Sequence, residues 1–338
     1  MAFFIRINGC GNAWPILIGT THPFYSIENI NDLYNTSFSI IKTSTELFDI
    51  NNIEWEILID AGLGSIYNII QNENRLPDAV FLTHAHPDHC AGLEWIVQSN
   101  YRIYGKSDYP VYCSSGCYKH LVMTFPHISK FISFKELKPA NEIIINNYMS
   151  VIQYPVFHGN SALGSSMFLF NINSSKILFT GDILCPLITK TDIYDLKGTK
   201  YLFTDCNNRF PYPRTNHWSF MRNNAKEFLN DFLREINFEI LLKPHISNQV
   251  NNSINEYFNN IETEKDIKSH TFTIIDFCKR ILPENIVLVH YSGIEDKKYY
   301  NEPLLSKPEL QSWANIKAVE EGLNTKIIVP LQGEIFEI

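Results

Sequence analysis

The chain has 338 residues, 45% of them hydrophobic, which is enough for one large packed domain or two smaller ones; it carries 28 lysines and arginines against 36 aspartates and glutamates. The formal charge of −8 disfavours non-specific attraction to long polyanions, so extended nucleic acid is not an expected partner, whereas a small anionic substrate held at a cationic site is. The opening MAFFIRINGC is too short an apolar stretch for a signal peptide, no later run has the length of a membrane span, and the seven cysteines form no CxxC pair; together these predict a cytoplasmic protein with reduced thiols and no membrane association.

Ala2 to Asn8 reads as a strand, Ser37 to Lys42 as a second, and Glu54 to Ile59 as a third that runs into Asp60, Ala61 and Gly62. The polar and aromatic stretch between the first two, Gly19 to Asn35, is expected to be an insertion near the mouth of a site. Leu63 to Asn74 has helical spacing, with Ile66, Ile69 and Ile70 on one face. A strand from Ala79 to Leu82 follows, then a histidine-rich loop, then a helix from His89 to Ser99 with Leu93, Ile96 and Val97 as its apolar stripe. Strand Pro110 to Cys113 leads to a helix, Gly116 to Thr124, whose His120 reads as a surface residue or a neighbour of the ligands rather than a ligand. Strands are expected at Glu142 to Ile145, Met149 to Phe157, Ser166 to Asn171, Lys176 to Thr180 and Tyr201 to Thr204. Asn216 is a good N-cap for a helix from His217 to Glu235. Strand Phe238 to Leu242, an Asn-rich excursion over Gln249 to Lys268, helix Thr271 to Ile281 and strand Asn285 to Val289 come next. Ile327 to Pro330 and Glu334 to Ile338 predict a closing hairpin around Gly333. The alternation of strands and helices indicates an α/β fold, and the absence of a linker predicts a single domain over 1–338 with a helical insertion at about 230–280.

The chemistry concentrates in Thr83 to Cys90, THAHPDHC, which sets His84, His86, Asp88 and His89 just past a strand end. Imidazole nitrogens and a carboxylate suit zinc or manganese, and iron also fits this donor set. The spacing HxHxDH is that of a dinuclear site, with His84 and His86 facing one ion while Asp88 and His89 face another. Three later residues stand in the same situation, a polar side chain just beyond an apolar strand: His158 after QYPVF, Asp182 after ILFTG and His290 after NIVLV. The expected partition is His84, His86 and His158 on one ion and Asp88, His89 and His290 on the other, with Asp182 bridging, because a carboxylate has two oxygens. His245, in LLKPHIS, also follows a strand and competes with His290 for the last place. Asp60, in LIDAG, is either the partner that orients a ligand histidine through its second ring nitrogen or a structural turn aspartate. His217, at a helix start and preceded by Arg209 and Arg214, forms a reasonable anion-binding group, although an N-cap followed by a surface histidine gives the same pattern.

THAHPDHC, FHG, FTGD and LVHYSG, in this order, resemble the successive metal motifs of the metallo-β-lactamase superfamily, and LIDAG before the first and GLEWI after it fit the same family. The resemblance implies a four-layer αββα sandwich with the site on one edge. A histidine in LVHYS resembles the phosphodiesterase-type branch, which includes tRNA 3′-processing endonucleases and cyclic-phosphate phosphodiesterases. Those endonucleases carry a long arm between the third and fourth motifs, whereas His158 and Asp182 are only 24 positions apart here. GCGNAWP, TDCN and TNHWS are more similar to the phosphodiesterases of phosphonate breakdown that open a phosphoribosyl cyclic phosphate, and that resemblance implies that His217 contacts phosphate or acts as general acid. Two departures separate the chain from them: Thr20 to Ser37 lacks their zinc-holding cysteine cluster, and the 108 positions from Asp182 to His290 exceed what such an enzyme needs.

The expectation is therefore a dinuclear metal hydrolase cleaving a small phosphodiester, cyclic ones included, through a hydroxide held between two divalent ions, Zn2+ or Mn2+, with Asp88 and His217 as catalytic residues and Arg209, Arg214 and His217 binding substrate. Rival expectations are hydrolysis of a carboxyl ester, lactone or thioester on the same site, and a mono-iron oxygenase of the same fold. A homodimer is compatible with the sequence.

Overall fold

The computed structural model describes residues 2–13, 34–73, 75–158, 162, 164–183, 185–186, 188, 190–212, 274–292 and 301–338. Its strands form two sheets. In the first, β1 (Ala2–Gly9), β2 (Ser37–Thr43) and β3 (Ile53–Ile59) are antiparallel neighbours; β4 (Ala79–Phe81), β5 (Tyr109–Cys113) and β6 (Ile132–Glu136) extend it in parallel. In the second, β7 (Glu142–Asn146) and β11 (Cys185–Pro186) both pair β8 (Met149–Phe157), which continues through β9 (Ser166–Ile172) and β10 (Ser175–Phe179) to a parallel run of β12 (Tyr201–Asp205), β13 (Asn285–Val289) and β14 (Lys326–Ile328).

Period-two alternation decides which layer each side chain joins. On β1 and β3, Ile5, Ile7, Ile57 and Ile59 face inward and meet Phe168, Phe170, Phe179 and Phe203 of the other sheet. The ring centroids of Phe38 and Phe179 are 5.0 Å apart and those of Phe81 and Phe170 5.1 Å, so aromatic contacts weld the sheets face to face. Leu58, Val80 and Leu82 point the other way. They are covered by α1 (Ser65–Glu73), α3 (Leu93–Tyr104) and α4 (Ser115–Thr124) through Ile66, Ile69, Leu93, Ile96, Val97 and Leu121. Helices α5 (Lys190–Leu196), α6 (Ile274–Ile281) and α7 (Lys307–Glu320) flank the second sheet, which gives the αββα order of layers.

Four expectations need correction. The helix after the histidine loop is broken into α2 (Pro87–Cys90) and α3, because the backbone at Ala91 and Gly92 is drawn against the end of β3: Ala61 N–H donates to His89 O (2.7 Å) and Gly92 N–H to Ala61 O (2.8 Å). A Cβ on Gly92 would lie 2.6 Å from Ile66 and 2.9 Å from Ala61 O, so only glycine fits this approach. The closing hairpin does not form. β14 joins β13 in parallel, while β15 (Ile335–Glu337) pairs β1 antiparallel, and Gly333 N–H donating to Ile7 O (2.8 Å) marks where the chain crosses from one sheet to the other. The helix α7 was not anticipated although Ser306 and Glu309 form a capping box with Pro308 inside it. Finally, α6 buries Ile274, Ile275, Phe277, Cys278 and Ile281 in the main core, so an insertion at 230–280 cannot extend past residue 273. Tyr212 O accepts from Ile274 N–H at 2.7 Å, so the two ends of the interval 213–273 meet. Most of Gly19 to Asn35, the helix and strand expected between His217 and Leu242, and the Gln249 to Lys268 excursion lie outside the described residues.

Between β1 and α1 the outward face holds a buried ionic group. Arg6 Nη2 bonds Glu56 Oε1 at 2.8 Å and also reaches Glu73, while Asp78 accepts from Glu56 N–H at 2.8 Å. Burial pushes the Glu56 carboxyl up to about 8; Arg6 opposes this and Glu73 reinforces it. The folded protein therefore holds a proton on Glu56 that the unfolded chain releases near 4.5, so this group's contribution lowers stability as pH rises from about 4.5 to about 8. Glu56→Gln is expected to flatten that slope and to be more stable than the parent at pH 8. Urea unfolding midpoints measured across the window would show this, and parallel pH profiles for the two proteins would count against it.

Candidate metal centre

The site forms at the rim where β3, β4, β8, β10, β12 and β13 end. After β4 the chain stays extended through His86 (φ −68°, ψ 148°), so His84 and His86 point to one side while Thr83 and Ala85 are buried beneath them. Pro87 then starts α2, and this single turn swings Asp88 and His89 to the other side. Gly181, with φ of 57°, lets the segment after β10 pass so close to Thr83 that a Cβ there would lie 2.7 Å from its side chain, and this closeness brings Asp182 to the histidines.

The seven expected ligands come together as two groups: His84, His86 and His158, and Asp88, His89, Asp182 and His290, the ligand atoms within each group lying within 4.8 Å of one another. This grouping counts Asp182 with the second set, where the expectation set it between two ions. Asp182 Oδ2 lies 3.3 Å from His158 Nε2 and 3.8 Å from His84 Nε2, and its Oδ1 lies 3.1 Å from His89 Nε2 and 3.2 Å from His290 Nε2. His86 faces its group through Nδ1, 3.1 Å from His84 Nε2 and 3.3 Å from His158 Nε2. The second group is buried throughout, whereas His86 and His158 are half-buried, so the first group forms the open side.

The second ring nitrogens of His84, His89 and His290 have partners that fix those imidazoles, whereas His158 Nδ1 is buried without one. Thr83 donates through N–H to Asp60 Oδ1 (2.8 Å) and through Oγ1–H to Asp60 Oδ2 (2.7 Å), so Thr83 Oγ1 can accept from His84 Nδ1–H at 3.1 Å. His89 Nδ1–H donates to Asp60 Oδ2 at 2.8 Å, and His290 Nδ1–H to Asp205 Oδ1 at 3.2 Å. Of the two readings of Asp60, the structure gives the orienting one, and the turn as well, since its φ is 59°. Asp205 was missed as a site residue. Its signal was the one that identified Asp182, a carboxylate at the end of an apolar strand, YLFTD.

These neighbours fit cations. His89 Nε2 and Asp182 Oδ1 are buried, face each other and make no hydrogen bond, a state that costs about 1–3 kcal/mol per atom unless something else is bound there. Three imidazole nitrogens converging in the first group and two carboxylates with two imidazoles in the second are donor sets for zinc, manganese or iron. The electrostatics agree. Burial holds His84 well below the ordinary histidine range and brings His158 down to about 4, leaving neutral rings with free lone pairs. At His89 burial works in the same direction, but Asp182, Asp60 and Asp88 overcome it and hold the ring well above its usual range; at His290, Asp182 and Asp205 do so and raise it to about 10. The buried carboxylates of the second group thus demand positive charge, which protons or a metal ion can supply.

The structure does not give Arg209 a substrate-binding position. It is only 4% exposed, and its guanidinium donates to Pro303 O (2.5 Å), Asn208 O (2.9 Å) and Glu302 Oε2 (3.2 Å), so it fastens the 301–306 segment to the end of β12 instead. Arg214, His217 and His245 lie outside the described residues; among the described ones His290 completes the second group. Cys90, Cys113, Cys117, Cys206 and Cys278 are buried thiols outside any disulfide, and no helix among the described residues is long and apolar enough to cross a membrane.

Comparison with known proteins gives the same architecture. Residues 56–236 match the family model of the beta-lactamase superfamily domain. A diphosphatase from the PhnP family superposes with a TM-score of 0.56 at 15% identity, covering 99% of this chain and 98% of that one. Unliganded yeast PDE1 superposes with a TM-score of 0.56 at 13% identity, covering 100% and 99%. Endoribonuclease YSH1 of Mycosarcoma maydis is 29% identical over 119 residues, covering 31% of this chain but only 14% of that protein.

Proposed function

The chain belongs to the beta-lactamase superfamily, and from that premise we propose that it is a dinuclear metal-dependent phosphodiesterase acting on a small, anionic phosphodiester, cyclic ones included. The observation that carries this reading is Asp182, whose two oxygens face the two ligand groups separately. The names of the diphosphatase and PDE1 structures, and the endoribonuclease relative, also favour phosphoester chemistry over carbonyl chemistry. Two divalent cations in these groups supply Lewis acidity at phosphoryl oxygens and water of lowered pKa.

The chain supplies the rest. His84, His86 and His158 would hold an ion on the open side and Asp88, His89 and His290 a buried one, with Asp182 offering an oxygen to each. Asp60 and Asp205 keep His89 and His290 presenting Nε2, so no rotation of either ring is needed when the substrate binds. His217 is proposed to protonate the leaving oxygen.

The protein reconstituted with Zn2+ or Mn2+ should hydrolyse bis-p-nitrophenyl phosphate in preference to lactones and thioesters; the reverse preference would replace this reading with a carboxyl-ester one, and a single iron per chain in elemental analysis would replace it with an oxygenase. His217→Ala should retain its metal but lose turnover on a diester with a poor leaving group by about 10²–10⁴-fold. Unchanged turnover would remove His217 from the reaction.

A further inference from the structure

His120, on the outward turn of α4, is a histidine for which the two metal groups have no use. Its ring lies edge-on to that of His86, with centroids 6.0 Å apart and planes at 86°. It therefore stands beside the half-buried ligand of the open group, on the side from which a substrate must come.

Its place is fixed from both ends of the helix's environment. Ser114 caps α4 by accepting from Cys117 N–H (3.1 Å) and donates to Gly164 O (2.6 Å), in the segment that follows His158. Ser166 N–H, two residues on, donates to Thr83 O (2.9 Å), at the root of the histidine loop. Helix α4, the His158 segment and the His84 loop therefore form one connected unit.

The ring also has a definite polarity. His120 Nδ1 is buried and has no hydrogen-bond partner, while the ring as a whole is half-buried, so Nε2 is the nitrogen left open. A buried lone pair without a partner is better tolerated than a buried N–H without one, so the neutral ring keeps its proton on Nε2. His120 thus offers an N–H donor next to the open metal group.

We infer that His120 is a substrate-contacting residue whose Nε2–H donates to a non-bridging oxygen of the phosphodiester held at the His84, His86 and His158 group. This rests on the phosphodiesterase reading and deepens it: the recognised group is the phosphodiester monoanion itself, whatever its organic substituents.

The test uses the whole, metal-loaded protein and inorganic phosphate, titrated calorimetrically, with metal per chain measured on the same samples. His120→Phe keeps a ring against His86 but removes the donor, and should weaken phosphate binding by about tenfold while two ions per chain remain. His120→Gln restores a donor and should recover most of the affinity. Phosphate binding in the Phe variant equal to that of the parent would overturn the inference and leave the phosphodiesterase reading standing. So would a loss of phosphate binding that tracks a loss of metal, since the ring would then only prop His86. A parent protein that neither binds phosphate nor cleaves bis-p-nitrophenyl phosphate would overturn both.

Discussion

Asp182→Asn should, on the dinuclear phosphodiesterase reading, reduce bound divalent metal from two ions per chain to one or none and lower turnover by on the order of 10³-fold. The argument lies in where its two oxygens sit. Oδ2 is shared with His158 and His84, and Oδ1 with His89 and His290, so one side chain belongs to both groups. Asparagine has the same size but a single acceptor and no charge, so whichever way its amide turns, one group loses its oxygen and meets an NH2 instead. The His89 and His290 rings then lose the largest of the carboxylate interactions that hold them charged in the absence of metal. The effect should be chemical rather than structural, because Thr180 N–H, donating to Phe203 O (3.0 Å), and the β10–β12 pairing hold the segment independently of the carboxylate. Elemental analysis, steady-state kinetics and a thermal melt on the same preparation would test it; a variant that retains two ions and turns over like the parent would refute the shared role.

Asp60→Asn should weaken metal affinity at the buried group by about 10–100-fold while leaving the fold intact, and Asp60→Ala should do the same and destabilise the protein as well. Asp60 accepts from the Thr83 backbone, the Thr83 hydroxyl and His89 Nδ1 at once. Burial raises its carboxyl above the usual range, against the pull of His89 and Thr83. Asparagine tolerates the positive φ of 59° found here, so that variant isolates the loss of charge and of acceptor capacity. Alanine adds backbone strain and leaves the Thr83 N–H buried without a partner, together costing about 2–5 kcal/mol. Competition for zinc against a chromophoric chelator measures the first effect, and urea unfolding the second. Parental affinity in the asparagine variant would mean that His89 needs no orienting carboxylate.

The residues of the two groups were readable in the sequence because a strand end is a local feature: an apolar run, then a polar residue, as at His84, His158, Asp182 and His290. What lay beyond one chain segment was not. Asp205 has the same local pattern as Asp182, but only the register of β12 beside β13, with Asp205 opposite Val289, sets it against His290. Arg209 was misread for the converse reason. A cation near a histidine looks like an anion site until the 301–306 segment, which the sequence places far away, folds back and consumes its donors. The closing strands failed similarly. Alternation around Gly333 describes two strands and a turn, but nothing in it states that Ile327 pairs in one sheet and Phe336 in the other. The capping box of α7, by contrast, was a legible signal left unread.

The contact between Tyr212 O and Ile274 N–H has a consequence for how such a chain can change over generations. Because the two points already touch, the sandwich does not depend on how much chain runs between them: doubling the length of a flexible connection costs only about 0.6 kcal/mol in closure entropy. A change in the length of residues 213–273 therefore leaves the seven residues of the two groups in place, since each of those stands just past a strand end or in α2, outside that interval. The part of the gene that encodes the two groups is thereby separate from the part that encodes that interval, and the second can change without disturbing the first.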